Sequence, residues 1–391
     1  MVFPVRQHIG GVSVKIEQQC WTAGEGWQQE SAASLDGSAS LVLVFGTREI
    51  LGDDIRIGEV RARYPGVPVA GCSTSGEICG TRVHDNSLVV TAVRFEHTVL
   101  KLAYVTIAEG GDSLDAGKRL AKSLPSQQLA HVLVLSDGMK VNGSELARGL
   151  RENLPANVAV TGGLAGDGTA FRQTLVFAED TPREGVIAAL GFYGDRIKIG
   201  YGSLGGWDSF GVERLITRSK GNVLYELDGH SALELYKKYL GDNNATPADA
   251  LLFPLALRTG DEGYGLVRSV ASVNEDDQSM TFFGDMPEGG YARLMKANFD
   301  RLIDGAQGAA HASFEMLGLA EPELALLVSC VGRKLVLKQR IEEEVESVRE
   351  VLGKKTVLTG FYSYGEICPH GVITQCELHN QTMTITTFSE R

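Results

Sequence analysis

Two stretches of this 391-residue chain set hydroxyl groups between two glycines and one carboxylate directly after the second. They are Gly71-Cys72-Ser73-Thr74-Ser75-Gly76-Glu77-Ile78 and, about 290 residues later, Gly360-Phe361-Tyr362-Ser363-Tyr364-Gly365-Glu366-Ile367. Flanking glycines permit φ > 0 and a close approach of backbone to a ligand. Ser73, Thr74, Ser75, Tyr362, Ser363 and Tyr364 offer hydroxyl donors and acceptors. Glu77 and Glu366 suit an amine, a guanidinium or neighbouring amides, with Arg333 as a candidate partner for one of them. The competing expectation is a tight bend whose glutamate ties down its own loop. Cys72 would need a histidine in reach to act as a nucleophile, and Phe361 stands at its place in the second loop. A buried, inert thiol is the expectation, and no catalytic residue is assigned.

Histidines and cysteines gather near the C-terminus, in Cys368-Pro369-His370 and Cys376-Glu377-Leu378-His379. The spacing is wrong for a zinc finger, because two residues three apart on a strand point to opposite faces. Cys368 before proline could ligate haem iron through its thiolate. His230 opens the helix signal Ser231–Leu240, capped by Gly241, and could serve as an axial iron ligand; the alternative is an exposed helix-start histidine. His379 is a further candidate ligand. No covalent haem-attachment, Walker, His-Glu-x-x-His or Gly-x-Ser-x-Gly motif is present.

The elements that must position these residues repeat. Leu41–Phe45 is a short buried-strand signal, followed by a helix near 48–63, a strand 67–70, the first glycine loop and two more strands. The pattern restarts at 131–135 with a helix near 143–153, a strand 158–160 and the turn Gly162-Gly163-Leu164-Ala165-Gly166-Asp167. It returns at 324–330 with a helix 339–352, a strand 356–358, the second glycine loop and strands near 371–378 and 381–388. Each module reads strand–helix–strand–glycine turn–strand–strand, so the fold class is mixed α/β (α+β) in two sheet-containing halves. Helix 292–304 is expected between the second and third copies. The break near Gly205-Gly206-Trp207-Asp208 suggests domains over 36–222 and 223–391.

A net charge of −12 argues against nucleic-acid binding and against docking on an anionic membrane. No apolar run approaches the ~20 residues of a spanning helix. The N-terminus lacks a signal-peptide pattern, and six scattered cysteines read as reduced thiols of the cytoplasm.

The two glycine loops, the turn 162–167, Ser329-Cys330-Val331-Gly332-Arg333 and Leu378-His379-Asn380-Gln381-Thr382-Met383-Thr384 together resemble the FIST family of sensory domains, over residue 36 to the end. The resemblance implies a small-ligand sensor of bacterial signal transduction and not an enzyme. Among stand-alone members it points to the haem-binding, nitric-oxide-sensing group (NosP), which controls a partner histidine kinase. Haem would be b-type and non-covalent, with His230 ranked first as ligand, then His379 and Cys368. Other members imply a small metabolite such as an amino acid, held by the Gly-Glu loops without haem. A homodimer is left open. The His379-Asn380 pair is expected to tie strands together.

Overall fold

The computed structural model describes residues 14–31, 34–35, 37–108, 111–178, 181–240, 247–259, 265–318, 321–370 and 376–391. Gly241 and the strand start expected at 371 lie outside them. Three strands rich in Leu and Val open the modules: Leu41–Gly46, Leu129–Ser136 and Leu324–Cys330. Each is followed by helix and then by a parallel partner, Val69–Ser73, Ala159–Leu164 or Val357–Ser363. On its other side each opening strand pairs antiparallel with Ser87–Arg94, Val186–Tyr193 or Met383–Glu390.

The opening strands are continuously apolar because both of their faces are buried. Leu43 and Phe45, Leu133 and Leu135, and Leu326 and Val328 turn inward to one core shared by three sheets. Phe45 stacks on Phe361 there, with ring centroids 4.7 Å apart. The alternate residues turn outward to each module's own helices. Val42 and Val44 meet the helix Asp54–Arg63, Val132 and Val134 meet Gly143–Arg151, and Ala325 and Leu327 meet Ile341–Leu352.

No sheet is built from one module. After its glycine turn, the first module sends Glu77–Cys79 to pair with Val357–Ser363 of the third. The third sends Gly365–Cys368 to Ala159–Leu164 of the second, and the second sends Val176–Ala178 to Val69–Ser73 of the first. The far edges are exchanged in the opposite sense. Val99–Thr106 of the first module pairs with Val186–Tyr193 of the second, and Ile197–Leu204 of the second with Met383–Glu390 of the third. The corresponding edge of the first sheet is filled by Lys15–Thr22 from the N-terminal end. Strands from either side of residues 222/223 therefore share sheets.

Between the second and third modules the chain adds a separate, mostly antiparallel sheet of nine strands, spanning 208 to 296. The helix Ala232–Leu240 packs on it through Leu233 and Tyr236. The helix expected over 292–304 is instead a strand, Tyr291–Lys296, and then an 18-residue helix, Phe299–Met316. Asn298 starts that helix by accepting a hydrogen bond from the Arg301 amide. No described helix is long and apolar enough to cross a membrane.

Gly71, Gly162 and Gly360 hold equivalent places, opposite Val44, Val134 and Leu327 in the parallel ladders. A Cβ at any of them would lie 1.9 Å from the carbonyl oxygen of that partner. Replacing each by alanine is expected to cost roughly 2–3 kcal/mol through forced backbone shifts. Gly58, inside a helix with nothing within 4 Å of its would-be Cβ, is the control. Its alanine variant should stabilise by about 0.5–1 kcal/mol. Urea midpoints of the four variants check both expectations.

Candidate functional site

The three glycine turns meet at the ends of the three sheets and lock together through main-chain hydrogen bonds. The Ser75 amide donates to the Tyr362 carbonyl (2.8 Å) and the Tyr362 amide to the Gly76 carbonyl (2.8 Å). The Gly166 amide donates to Ser73 (2.9 Å), and the Tyr364 amide to Leu164 (3.1 Å). Each module is thus tied to the next around a closed ring.

The side chains of the turns are spent within this hub. Glu77 and Glu366 are fully buried. Each accepts from a hydroxyl three residues earlier: Thr74 donates to Glu77, and Ser363 to Glu366 at 2.6 Å. Each also reaches the start of its module's next long strand. Ser87 donates to Glu77 (2.6 Å), and the Thr382 hydroxyl and amide donate to Glu366 (2.9 and 3.1 Å). Ser73 accepts from the Leu175 amide (2.9 Å) and Ser75 from the Gly168 amide (3.1 Å). The Tyr364 hydroxyl donates to Asp167, which also accepts from the amides of Phe171, Arg172 and Gln173. Tyr362 donates to Glu344 at 3.1 Å.

Arg333 does not pair with either loop glutamate. Its Nε donates to Glu344 (2.6 Å), and its other nitrogens donate to the carbonyls of Leu302 and Gly205, fastening the long helix to the third sheet. Lys334 is the cation at the hub, donating to the Ser75 carbonyl (2.8 Å) and pairing with Asp85. Cys72 is buried, and burial pushes its thiol well above the ordinary value.

The histidines divide. His230 is exposed and stands in a short strand pair with Leu227 before the helix, not inside it. His379 is buried, its Nε2 3.1 Å from the Cys368 carbonyl, and burial holds its pKa down near 3. Asn380 donates to the Tyr364 carbonyl (3.2 Å) and accepts from the Ser269 amide (3.3 Å). The His-Asn pair does tie strands together. Cys368 is buried with its thiol pushed up by desolvation.

A cavity of about 330 Å³ lies elsewhere, where the helix Gly143–Arg151, the added sheet and the strand Glu377–His379 meet. Arg148, Arg151 and Arg268 line it, with Asp285, Glu377 and His370. Arg151 is neutralised by Glu377 at 3.0 Å. Arg268 is 2% exposed and donates to the carbonyls of Asp285 (3.2 Å), Val267 (3.2 Å) and Leu378 (2.9 Å) and to Ser144 Oγ (3.3 Å). Among the described residues it makes no ion pair, and burial holds its pKa below the ordinary arginine value. Sequence reasoning missed this cluster. Its one local signal was an arginine inside the otherwise apolar run Leu266–Arg268.

The family models bear on what such a site serves. The FIST N domain matches residues 40–230, and the FIST C domain matches residues 232–369. The chain belongs to the FIST family. FIST domains are sensory domains of signal transduction that bind small ligands, and they are not catalysts. No curated protein matches the chain.

None of the three residues proposed as haem ligands lines the arginine-lined cavity of this FIST chain. His230 is exposed at the surface, whereas cofactor sites enclose most of their ligand. His379 is buried, its ring centroid 5.4 Å from that of His370. Cys368 lies in the closed interior beside the glycine turn. Among the described residues, no three His, Cys, Asp or Glu side chains gather to hold a metal ion.

Burial raises the pKa of Glu77 to about 7 and of Glu366 to about 8, from an ordinary 4.5. The folded chain keeps these protons up to pH 7–8, while the unfolded chain releases them near 4.5. Their contribution to stability is therefore full below about pH 4.5 and declines as pH rises through the folded values. The Glu366→Gln variant should show a smaller fall in urea midpoint between pH 5 and 8.5 than the parent. A parallel fall in both proteins would show that Glu366 does not titrate in this range.

Proposed function

We propose that the chain is a FIST sensor of the bacterial cytoplasm that takes a small polar metabolite, amino acids included, into the arginine-lined cavity. Its output passes to a partner histidine kinase. The observation that carries this reading is the position of the cavity. Its walls come from the second module, from the added sheet and from the C-terminal strand. An occupant would touch all three and so would favour one arrangement of them over others, which is what a ligand needs to shift a population.

Nitric-oxide sensing through haem is the second reading, supported by the resemblance to the nitric-oxide-sensing group; the exposure of His230 and the burial of His379 and Cys368 favour the metabolite reading over it. The two separate in one preparation. Protein made with haem available is expected to be colourless and to gain thermal stability from members of a panel of amino acids and small organic acids. A Soret band that moves on adding nitric oxide would replace the metabolite reading by the haem reading. Thr259 is an exposed residue on the cavity wall. The Thr259→Trp variant should keep the parent's melting temperature without ligand and lose at least half of the ligand-induced rise. An undiminished rise would place the ligand elsewhere.

A further inference from the structure

Hydrogen-bonding capacity around the cavity is unbalanced. A guanidinium carries five N–H donors and no acceptor, so three arginines bring fifteen. Arg268 directs one Nη2 donor to Ser144 (3.3 Å) and its other donors to main-chain carbonyls, leaving an Nη2 hydrogen over. Arg151 uses Nη1 on Glu377 (3.0 Å) and on the Cys376 carbonyl (3.0 Å), leaving Nε and Nη2. Arg148 has as its ion-pair partner among the described residues only Glu145, at 4.0 Å, too far for a hydrogen bond. Against these donors stand few acceptors. Asp285 already takes the Asn142 side-chain amide (2.8 Å), and Glu377 is committed to Arg151.

A buried guanidinium without an anion is costly to keep. Arg268 has no ion-pair partner in contact among the described residues, Glu377 and Asp285 acting on it only from farther off, and the half-exposed Arg148 stands on the same cavity wall. We infer that the cavity recognises an oxyanion, a carboxylate or a phosphate of a compact metabolite, by charge-assisted hydrogen bonds from Arg148 and Arg268. An anion there completes the open N–H donors and compensates the buried charge, whereas a neutral ligand can accept from the donors but leaves the charge uncompensated. Asp285 and Glu377 limit the total charge the cavity accepts and leave room for an ammonium or hydroxyl on the same ligand. The inference rests on the proposed ligand cavity and adds the chemical group that it selects.

The test compares acids with their own amides on the full chain by calorimetric titration: succinate against succinamide, L-leucine against L-leucinamide, and inorganic phosphate alone. At least one acid is expected to bind at least tenfold more tightly than its amide, with affinity falling as salt is raised. Phosphate binding in place of carboxylate binding would assign the group to a phosphorylated metabolite. Arg148→Gln should weaken the acid at least tenfold and leave the melting temperature of the free protein unchanged. Arg268→Lys keeps the charge without the planar fork and should weaken the acid more than its amide. Equal binding of acid and amide, or an affinity indifferent to both substitutions, would overturn the oxyanion inference and leave the metabolite sensor standing. Silence from every acid and from phosphate would also overturn it. The sensor reading falls with it only if the wider panel of the preceding experiment is silent too.

Discussion

A carbonyl oxygen packed against the Cα of a glycine recurs three times, and the rest of the fold leans on it. At Gly71, Gly162 and Gly360 the parallel strands come so close that a methyl group would stand 1.9 Å from the facing oxygen. That approach lets each chain turn sharply at the end of its own sheet and leave for the next. The departing strand then finds its hydrogen-bond partners in another module, because buried backbone groups must be paired. The exchange closes on itself when Val176–Ala178 returns to the first module, and Lys15–Thr22 fills the outer edge that remains. No module completes a sheet alone, so the three should fold as one cooperative body.

The hub made by these turns is polar and buried at once. Its carboxylates are tolerable because each is met by hydroxyls and, for Glu366, a main-chain amide. The same pairing turns the loop residues toward one another and toward neighbouring strands. Unspent polarity is found at the seam between the second module and the added sheet. There Arg268 is fixed by carbonyls and, among the described residues, has no carboxylate at ion-pair distance, Glu377 and Asp285 acting on it only from farther off. Rigidity and recognition are therefore carried by different parts of the molecule, with Asn380 linking them through Tyr364 on one side and Ser269 on the other.

Much of the fold was legible, and the exceptions have physical causes. The opening strands announced themselves as unbroken apolar runs because both faces are covered. Lys15–Thr22 was not anticipated, since Glu17, Gln18 and Gln19 are polar yet buried, with Glu17 held by Arg63 and the Leu35 amide. The helix Ser113–Ser123 was missed as well. Its Gly117 reads as a breaker in sequence, but it packs against Gly149 where two helices cross closely. Arg333 was matched to the wrong glutamate because Glu344 reaches it from a helix whose placement the sequence does not reveal.

By itself the sequence determined the repeated module, the glycine at each turn, the family and the absence of any recognised catalytic signature. These are local properties: periodicity, apolar runs and residues tolerant of close approach. Only the tertiary structure decided which module receives each departing strand. Only it brought Arg148 on a helix, Arg268 on the added sheet and Glu377 near the C-terminus to one cavity. Strand exchange depends on which edge can satisfy a backbone hundreds of residues away. Recognition depends on which charges remain unpaired once every nearer partner has been taken, and neither leaves a periodic trace along the chain.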